Sequence, residues 1–352
     1  MPDRALVECV PNVSEGRNPS VIAALSAAIT SVAGVRLLHV DSGVDAHRTV
    51  FTFAGPPEPV GDAALALARA VATHIDMRRH AGAHPRIGAL DVCPFVPMRD
   101  TSIARCAALA RRVGATLAHD FDLPVFLYEV AAFDNERRGL PLLRRGGFEG
   151  LAAKLADSRF VPDFGPATPH PALGASIVGA RPFLIAWNVA LDTDDVAVAR
   201  AVAGRVRESG EVVTDARGQR VHRPGRLRSV RAVGWHMPTF GHAQVSLNLL
   251  DFTVTPLHVA YGAVAEEAAA YGARVIGSEL VGLVPLAALR EAGRAAAPDE
   301  PLDVPDAVLI DAAVAALGLH AVRPFEPQAR VLEWAMAGAS AGQGPAATHS
   351  TT

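Results

Sequence analysis

Apolar and polar positions along this chain follow one another as two successive series of short strands and helices. In the first half, strands are predicted at LVECVP, VRLLHVD, HRTVFTFAG and IGALDVCPFVP. Helices are predicted from Pro19, after a cap at Asn18, to about Val32, and over residues 57–76. The order is β-α-β-β-α-β, the split-βαβ or ferredoxin-like unit. The strands FLIAWNVAL, LRSVRAVGWHM, AQVSLNLLDF and ARVIGSEL, with helices after Thr193 and Pro256, repeat it. We therefore predict an α+β fold, an α/β sandwich of two ferredoxin-like subdomains.

These elements divide the chain into four predicted parts. The first subdomain covers residues 1–180 and the second residues 181–292. A helical extension is expected over residues 293–336, and the tail 337–352 lacks core-forming residues and is predicted to be disordered. The stretch VPDFGPATPHPALGASIVGARP, at the end of the first subdomain, is rich in proline, glycine and small residues. Long ordered loops of this kind often belong to binding sites.

Composition narrows the class of protein. Half of the 352 residues are hydrophobic, and the net charge of -3 gives no general attraction to nucleic acid or lipid head groups. The beginning of the chain has no apolar stretch of signal-peptide length, and no apolar run approaches the ~20 residues of a membrane helix. We expect a cytoplasmic protein with no nucleic-acid or membrane partner.

Three cysteines, Cys9, Cys93 and Cys106, have no disulfide-framework or zinc-site spacing, and we expect them in the core.

The segment HAGAHPRIGALDVCPFVP, residues 80–97, has the most distinctive chemistry. His80 and His84 are four residues apart, as metal ligands on a helix would be, but Gly82 and Pro85 prevent a regular helix between them. We therefore expect no metal. His84 is then either a hydrogen-bonded loop residue or a catalytic acid/base, since histidine titrates near neutral pH.

Strand alternation gives a second group of candidates. Gln244, Ser246 and Asn248 fall on one face of AQVSLNLLD, opposite Val245, Leu247 and Leu249. In the first half, polar residues lie on the first strand (Glu8 and Asn12), at the end of the second (Asp41) and at the start of the third (Arg48). These faces either meet solvent, as in many antiparallel sheets, or line a cleft that binds a heterocycle.

Arginines form a third group. Four of them lie near the candidates of the first half of the chain (Arg48, Arg78, Arg79 and Arg86), and three lie near those of the second half (Arg181, Arg226 and Arg228). Their guanidinium groups either form solvated surface charge or hold carboxylates and phosphates. No G-x-x-x-x-G-K-[ST] loop, strand-linked G-x-G-x-x-G or G-x-S-x-G motif is present, so nucleotide binding and serine-hydrolase chemistry are not indicated.

Several long motifs together resemble glutamate formimidoyltransferase, the formiminotransferase domain family. They are VECVPNVSEGRN (7–18), GPPE (55–58), IDMRRHAGAHPRIGALDVCPFVP (75–97), PDFGP (162–166), GARPFLIAWNVAL (179–191), AQVSLNLLDF (243–252) and VIGSELVGLVPLAAL (275–289). The resemblance runs from about Leu6 to Leu289, and PFEPQARVLEW (324–334) is similar to a later segment of the family. Because few residues follow 290, we expect the form without a cyclodeaminase domain.

The resemblance implies folate in a tunnel between two subdomains, and a reaction in histidine breakdown. The formimidoyl group moves between N-formimidoyl-L-glutamate and N5 of tetrahydrofolate, the co-substrate, with His84 of HPR as general acid/base. The family's folate-binding loop corresponds to Gly165, Pro166, Ala167, Thr168, Pro169, His170, Pro171, Ala172, Leu173 and Gly174. Further substrate or folate contacts are predicted for Asn12, Arg48, Arg86, Gln244 and Asn248. The resemblance also implies a homodimer.

We add the hypothesis that Asp41 orients the ring of His84, and that Arg48 or Arg86 holds a carboxylate of glutamate. This chain departs from the animal enzymes at Ala83, where they carry glutamate before the HPR histidine, and at His170, an added polar group in the loop. Two alternatives stay open from the sequence. One is a formyltransferase that uses N-formyl-L-glutamate, and the other is a folate-binding protein without catalysis.

Overall fold

The computed structural model describes residues 5–82, 84–237 and 241–338, and the chain divides into two compact units between Pro182 and Phe183. Ala83 lies outside the described residues, as does the predicted tail apart from Ala337 and Gly338, which end the last helix. Both units combine sheets with helices, so the predicted α+β class is confirmed. None of the helices in the described ranges has the length and hydropathy that crossing a membrane requires.

The first unit contains one mixed sheet and helices on both of its faces. Its strands are β1 (Val7–Cys9), β2 (Asn12–Val13), β3 (Arg36–Gly43), β4 (Arg48–Gly55), β5 (Leu90–Pro97), β6 (Val125–Glu129) and β7 (Ser176–Ala180). β1 and β2 lie between β4 and β5 in antiparallel pairing, β3 pairs with the other side of β4, and β7 and β6 follow β5 in parallel. The predicted strand 6–11 therefore ends early, and a second short strand follows it.

Three long helices bury their apolar residues against one face of this sheet. They are α1 (Pro19–Thr30), α2 (Pro57–His74) and α3 (Ile103–Phe121). Asn18 caps α1 as predicted, since its side chain accepts from the backbone N–H groups of Ser20 and Val21 at 3.0 and 3.3 Å. Phe51, Phe53 and Phe95 are fully buried in this core. The three cysteines are buried with free thiols, as expected.

Two short helices, α4 (Leu140–Arg144) and α5 (Leu151–Leu155), cover the opposite face near β5, β6 and β7. Adjacent strand residues divide between the two cores, as period-two alternation requires: Val92 belongs to the α4/α5 side and Cys93 to the other. Helix α4 is not among the elements predicted from the sequence. A five-residue helix is too short to show a clear periodicity.

The second unit has a four-stranded antiparallel sheet, a separate hairpin and six helices within the part of the chain that the structure describes. The elements are β8 (Ile185–Leu191), α6 (Val196–Val206), β9 (Glu211–Thr214), β10 (Arg220–Arg223), β11 (Val230–Met237), β12 (His242–Leu249), α7 (Leu257–Ala270), β13 (Val275–Val281), α8 (Leu286–Ala296), α9 (Asp306–Ala316), α10 (Pro327–Arg330) and α11 (Leu332–Gly338). The sheet order is β11-β12-β8-β13. The first strand of this sheet, β8, therefore lies between β12 and β13, much as β1 and β2 lie between β4 and β5 in the first unit.

Two details of this unit refine the sequence analysis. The helix expected directly after Thr193 begins at Val196, because the Asp195 carboxylate is its cap and accepts from the Ala197 N–H at 2.8 Å. Thr193 instead accepts from the Asp195 N–H through its hydroxyl oxygen. The predicted extension 293–336 packs into the same apolar core as the sheet, through residues such as Ile310.

Gly88, just before β5, allows a close backbone approach that a side chain would block. A Cβ there would lie 2.0 Å from the Ala175 carbonyl oxygen and 2.6 Å from that of Leu173. We expect Gly88→Ala to lower the free energy of unfolding by about 1–3 kcal/mol, the usual cost of overpacking. Gly262→Ala in α7 is the matched control, because nothing lies within 4 Å of its added Cβ, and alanine there should stabilise the helix by up to ~1 kcal/mol. Urea unfolding of both variants checks this, and equal midpoints would contradict it.

Candidate active site

The segment that carries His84 is tied to the end of the predicted folate-binding loop. The Met77 N–H donates to the Ala172 carbonyl at 2.8 Å, and the Ala89 N–H donates to that of Leu173 at 2.9 Å. The Ala175 N–H in turn donates to the Ile87 carbonyl at 3.1 Å. No regular helix runs through His80, as predicted from Gly82 and Pro85, because its backbone is extended. The two predicted site segments are therefore neighbours within the first unit.

The loop of residues 165–174 ends in a tight, hydrogen-bonded turn. The backbones of His170 and Gly174 exchange two hydrogen bonds at 2.8 and 3.0 Å, and the His170 Nδ1 atom accepts from the N–H groups of Ala172 and Leu173. Gly165 and Gly174 both have positive φ, at 82° and 74°, a region that favours glycine. His170 is thus part of the turn's internal structure.

His84 lies beside a buried arginine. Its Nδ1 atom is 2.7 Å from the Arg48 Nη1 atom and 2.8 Å from the Pro85 carbonyl oxygen. The guanidinium group of Arg48 is also held by the side-chain oxygen of Asn12, which accepts from Nε and Nη2 at 2.8 and 2.6 Å. The Asn12 amide donates to the Val10 carbonyl at 3.0 Å. Strands β2 and β4 thus place three of the predicted site residues in direct contact.

Asp91, at the start of β5, is the carboxylate of this cluster. Its side chain is only 1% exposed, and one oxygen lies 3.2 Å from the Arg48 Nη1 atom and 2.6 Å from the Arg144 Nη2 atom. The other oxygen accepts from the Ile87 N–H at 2.8 Å. Asp91 and Arg144 are not among the site residues predicted from the sequence. A charged residue inside the apolar strand LDVCPFVP was the signal that could have identified Asp91.

Burial and charge set the protonation of the cluster. Burial first, and then the positive charges of Arg48 and Arg144, lower the pKa of His84 to about 3. Burial and the neighbouring Arg144 lower the pKa of Arg48 to about 9, against the opposing effect of Asp91. Burial alone would raise the pKa of Asp91, but the two arginines lower it. At neutral pH, His84 is therefore uncharged and Asp91 is ionised, and an arginine keeps its positive charge.

The surroundings of Nδ1 suit both neutral forms of His84. A guanidinium group only donates hydrogen bonds and a carbonyl oxygen only accepts them. When Arg48 donates to Nδ1, the ring proton is on Nε2, where the neutral ring can donate a hydrogen bond. When Nδ1 carries the proton and donates to the Pro85 carbonyl, Nε2 has a lone pair and can take a proton. The form with Nδ1–H is therefore the base, and the imidazolium that it becomes, still bonded to the Pro85 carbonyl, is the acid.

Arg86 belongs to a separate network. Both of its terminal nitrogens donate to the Glu149 carboxylate, at 2.7 and 2.9 Å, and its Nε donates to the His80 Nδ1 atom at 3.1 Å. His80 stacks on His47, with ring centroids 4.2 Å apart, and its Nε2 donates to the His47 carbonyl at 2.7 Å. His47 lies 3.2 Å from Glu15. Of the two arginines predicted to hold a substrate carboxylate, Arg48 is the one in contact with His84.

The remaining predicted residues lie on β3 of the first unit and on β12 of the second. On β3, Asp41 pairs through its backbone with Val50, and its orienting role stays a prediction. Gln244 and Asn248 lie on β12 in the second unit, opposite the core residues of that strand, as the alternation predicted. Gln244 is fully buried and its oxygen accepts from the Trp235 indole N–H at 3.3 Å, whereas Asn248 is exposed.

Two further arginines predicted near the site, Arg78 and Arg226, are paired with carboxylates. Arg78 binds Asp76 through a bidentate pair, with closest atoms 2.6 Å apart, and Arg226 binds Glu266 and Glu267 at 2.6 and 3.0 Å. Both are surface pairs, and their contribution to stability is therefore small. In the described residues, no cluster of three or more histidine, cysteine, aspartate or glutamate side chains is arranged to hold a metal ion.

The fold and this cluster define an α+β protein of two similarly ordered sheets, with a neutral histidine beside a buried arginine and aspartate. Comparison with known proteins identifies the family. Residues 6–181 match the profile described as "Formiminotransferase domain, N-terminal subdomain", and residues 186–337 match "Formiminotransferase domain". The chain belongs to the formiminotransferase family.

Named relatives agree with this assignment. The chain is 39% identical over 284 residues to glutamate formimidoyltransferase of Streptococcus pyogenes serotype M1, covering 81% of this chain and 90% of that protein. It is also 39% identical to glutamate formimidoyltransferase of Thermoplasma acidophilum, with the same coverage. It is 46% identical to formimidoyltransferase-cyclodeaminase of Rattus norvegicus over 94% of this chain, but spans only 59% of the length of that protein.

Proposed function

We propose that this protein is a glutamate formimidoyltransferase that moves the formimidoyl group between N-formimidoyl-L-glutamate and N5 of tetrahydrofolate, in the breakdown of histidine. The observation that carries the proposal is the setting of His84, whose Nδ1 atom lies between a permanent donor, Arg48, and an acceptor, the Pro85 carbonyl. Membership of the family and the names of its relatives support the substrates.

The reaction needs one proton to be taken and one to be given. In the direction of histidine breakdown, a bond forms between N5 and the amidine carbon, and the bond between that carbon and the glutamate nitrogen breaks. His84 accepts at Nε2 the proton that N5 loses, while its Nδ1–H donates to the Pro85 carbonyl. It then gives the Nε2 proton to the departing glutamate nitrogen and returns to the neutral form. A general acid/base in this position contributes about 10²- to 10⁴-fold to the rate.

The charge of the cluster suits an anionic substrate. Two guanidinium groups, Arg48 and Arg144, share the single carboxylate of Asp91 around a neutral His84, which leaves one positive charge in excess. Buried charge is costly without a partner, and a carboxylate of N-formimidoyl-L-glutamate would supply one. A bound carboxylate would also raise the pKa of His84 towards neutrality, because it offsets the positive charges that lower it. Substrate binding would thus make His84 a better base.

The loop that precedes β7 supports binding of tetrahydrofolate as co-substrate. Its turn is hydrogen-bonded to the His84 segment, and Ala167, Thr168 and Pro171 are exposed to solvent there. These residues would hold folate next to the histidine. The proposal needs no metal ion, since each proton transfer is assigned to a side chain.

The proposal is tested by incubating the purified protein with tetrahydrofolate and either N-formimidoyl-L-glutamate or N-formyl-L-glutamate. We expect a folate product with the first donor and a much smaller kcat/KM with the second. Product with N-formyl-L-glutamate alone would identify a formyltransferase instead. Binding of tetrahydrofolate with no product from either donor would overturn the proposed activity in favour of a folate-binding protein.

A further inference from the structure

Residues 139–150, which include α4 and the turn after it and which we call the clasp, contact the His84 segment twice. The Arg144 Nη2 atom donates to Asp91 at 2.6 Å, and the Glu149 carboxylate accepts from both terminal nitrogens of Arg86 at 2.7 and 2.9 Å. Arg86 and Asp91 are the buried charged side chains that follow His84 along the chain. One short stretch therefore holds both charged groups of the segment after the predicted catalytic histidine.

The turn of the clasp depends on glycine. Gly146 and Gly147 have φ of 90° and 63°, in the region that favours glycine. Gly150 lies so close to the preceding turn that a Cβ there would be 2.7 Å from the Gly146 carbonyl oxygen. This compact turn separates Arg144 from Glu149 by only five positions along the chain while directing them to two different partners.

Lys154, the only lysine of the chain, anchors the clasp from α5. Its buried ammonium group donates to the carbonyl oxygens of Leu142 and Leu143, at 2.9 and 2.7 Å, directly before Arg144. It also lies 4.7 Å from the centroid of the Phe160 ring. Leu143 is fully buried against the sheet. These contacts fix the backbone that presents Arg144.

We propose that the clasp positions the active site, and that Arg144 is a positioning residue that holds Asp91 and Arg48 in the arrangement that orients the ring of His84. This inference rests on the proposed function, because it assigns Arg144 to the same reaction. The connection runs through direct contacts at 2.6 Å (Arg144 to Asp91), 3.2 Å (Asp91 to Arg48) and 2.7 Å (Arg48 to His84). Arg144 acts through its neighbours.

The charged groups around His84 predict the direction of the effect. Arg48 and Arg144 disfavour the protonated ring, Asp91 favours it, and the Pro85 carbonyl accepts from it. Removing the positive charge of Arg144 therefore raises the pKa of His84 and loosens Asp91. A lysine at this position keeps the positive charge but lacks the planar guanidinium group. It should therefore restore the pKa of His84 more fully than the positions of Asp91 and Arg48.

The test compares Arg144→Met, Arg144→Lys and the control Arg145→Met in the full-length protein. Arg145 is the exposed neighbour of Arg144, so its replacement removes the same charge without touching Asp91. Two quantities are measured. The first is the titration midpoint of the His84 ring, followed by NMR in the protein without substrate, where the signal of His84 is the one that disappears in His84→Gln. The second is the pH profile of kcat and of kcat/KM. The NMR titration needs no substrate, so it tests the clasp even if the proposed activity fails.

We expect Arg144→Met to raise the His84 midpoint by on the order of one pH unit. We expect its kcat to fall by about 10²-fold, the scale for a catalytic group that is slightly misplaced. Arg144→Lys should return the midpoint close to that of the unmodified protein, and Arg145→Met should change neither quantity. The proposal is overturned if Arg144→Met folds with an unchanged midpoint and pH profile, or if Arg145→Met has the same effect.

A second variant covers the case in which Arg144→Met does not fold. Lys154→Met keeps every side chain of the His84 cluster and removes only the anchor of the clasp. We expect it to lower kcat by a smaller factor than Arg144→Met, with a change of the His84 midpoint in the same direction. A folded Lys154→Met with unchanged kcat and midpoint would show that the clasp does not position the site.

Discussion

His84→Gln should lower the rate of formimidoyl transfer by about 10²- to 10⁴-fold while folate still binds. Glutamine keeps a polar side chain that can accept from Arg48, but it cannot take a proton from one nitrogen and give it to another. The measurement is kcat with saturating substrates, together with folate binding by titration calorimetry.

His74→Gln is the control for this variant, because His74 is exposed at the end of α2 and should tolerate the change with full activity. If His84→Gln turned over at the normal rate with folate bound, the central assignment would be wrong. If both variants lost folate binding, the loss of rate would report on the fold and not on proton transfer.

The second large effect is expected on stability. Asp91→Asn leaves Arg48 and Arg144 without their shared, buried carboxylate, and breaking a buried ion pair by removing one partner costs about 3–5 kcal/mol. Urea unfolding measures this loss. The control is Asp62→Asn, whose partner Arg112 lies 3.7 Å away on the surface and whose removal should cost about 0–1 kcal/mol.

The sign of the pH dependence follows from the direction of the pKa. Because the folded state lowers the pKa of Asp91, its ionised form stabilises the fold above the unfolded pKa of aspartate, near ~3.9. The difference between the unmodified protein and Asp91→Asn should therefore be full at neutral pH and shrink as the pH falls below about 4. Equal losses for the Asp91 and Asp62 variants at pH 7 would contradict the role of Asp91.

Features that depend on neighbouring residues could be predicted from the sequence. The cap at Asn18 and the alternation on β12 each rest on residues a few positions apart, and the structure has both. The absence of a helix through His80 followed from Gly82 and Pro85 in the same way. Arg48, at the start of its strand, contacts His84, and its role in holding a carboxylate stays a prediction.

The hydrogen-bond and ion-pair network around His84 could not be predicted from neighbouring residues, because it joins distant parts of the chain. Arg144 meets Asp91 across 53 positions, and Arg48 meets Asn12 across 36. The pattern of a single sequence does not say which distant charges meet. Helix α4, which carries Arg144, is too short to leave a periodic signal. The resemblance to a family assigned the catalytic role to His84, but it did not supply Asp91 or Arg144.

The most direct test of the account follows the transferred carbon itself. N-formimidoyl-L-glutamate labelled with ¹³C in the formimidoyl group is mixed with tetrahydrofolate and an excess of protein, and the label is followed by ¹³C NMR in a single turnover. We predict that the label moves from glutamate to N5 of tetrahydrofolate with the unmodified protein and stays on glutamate with His84→Gln, although both bind folate. No transfer by the unmodified protein with folate bound, or equal transfer by the two proteins, would contradict the account.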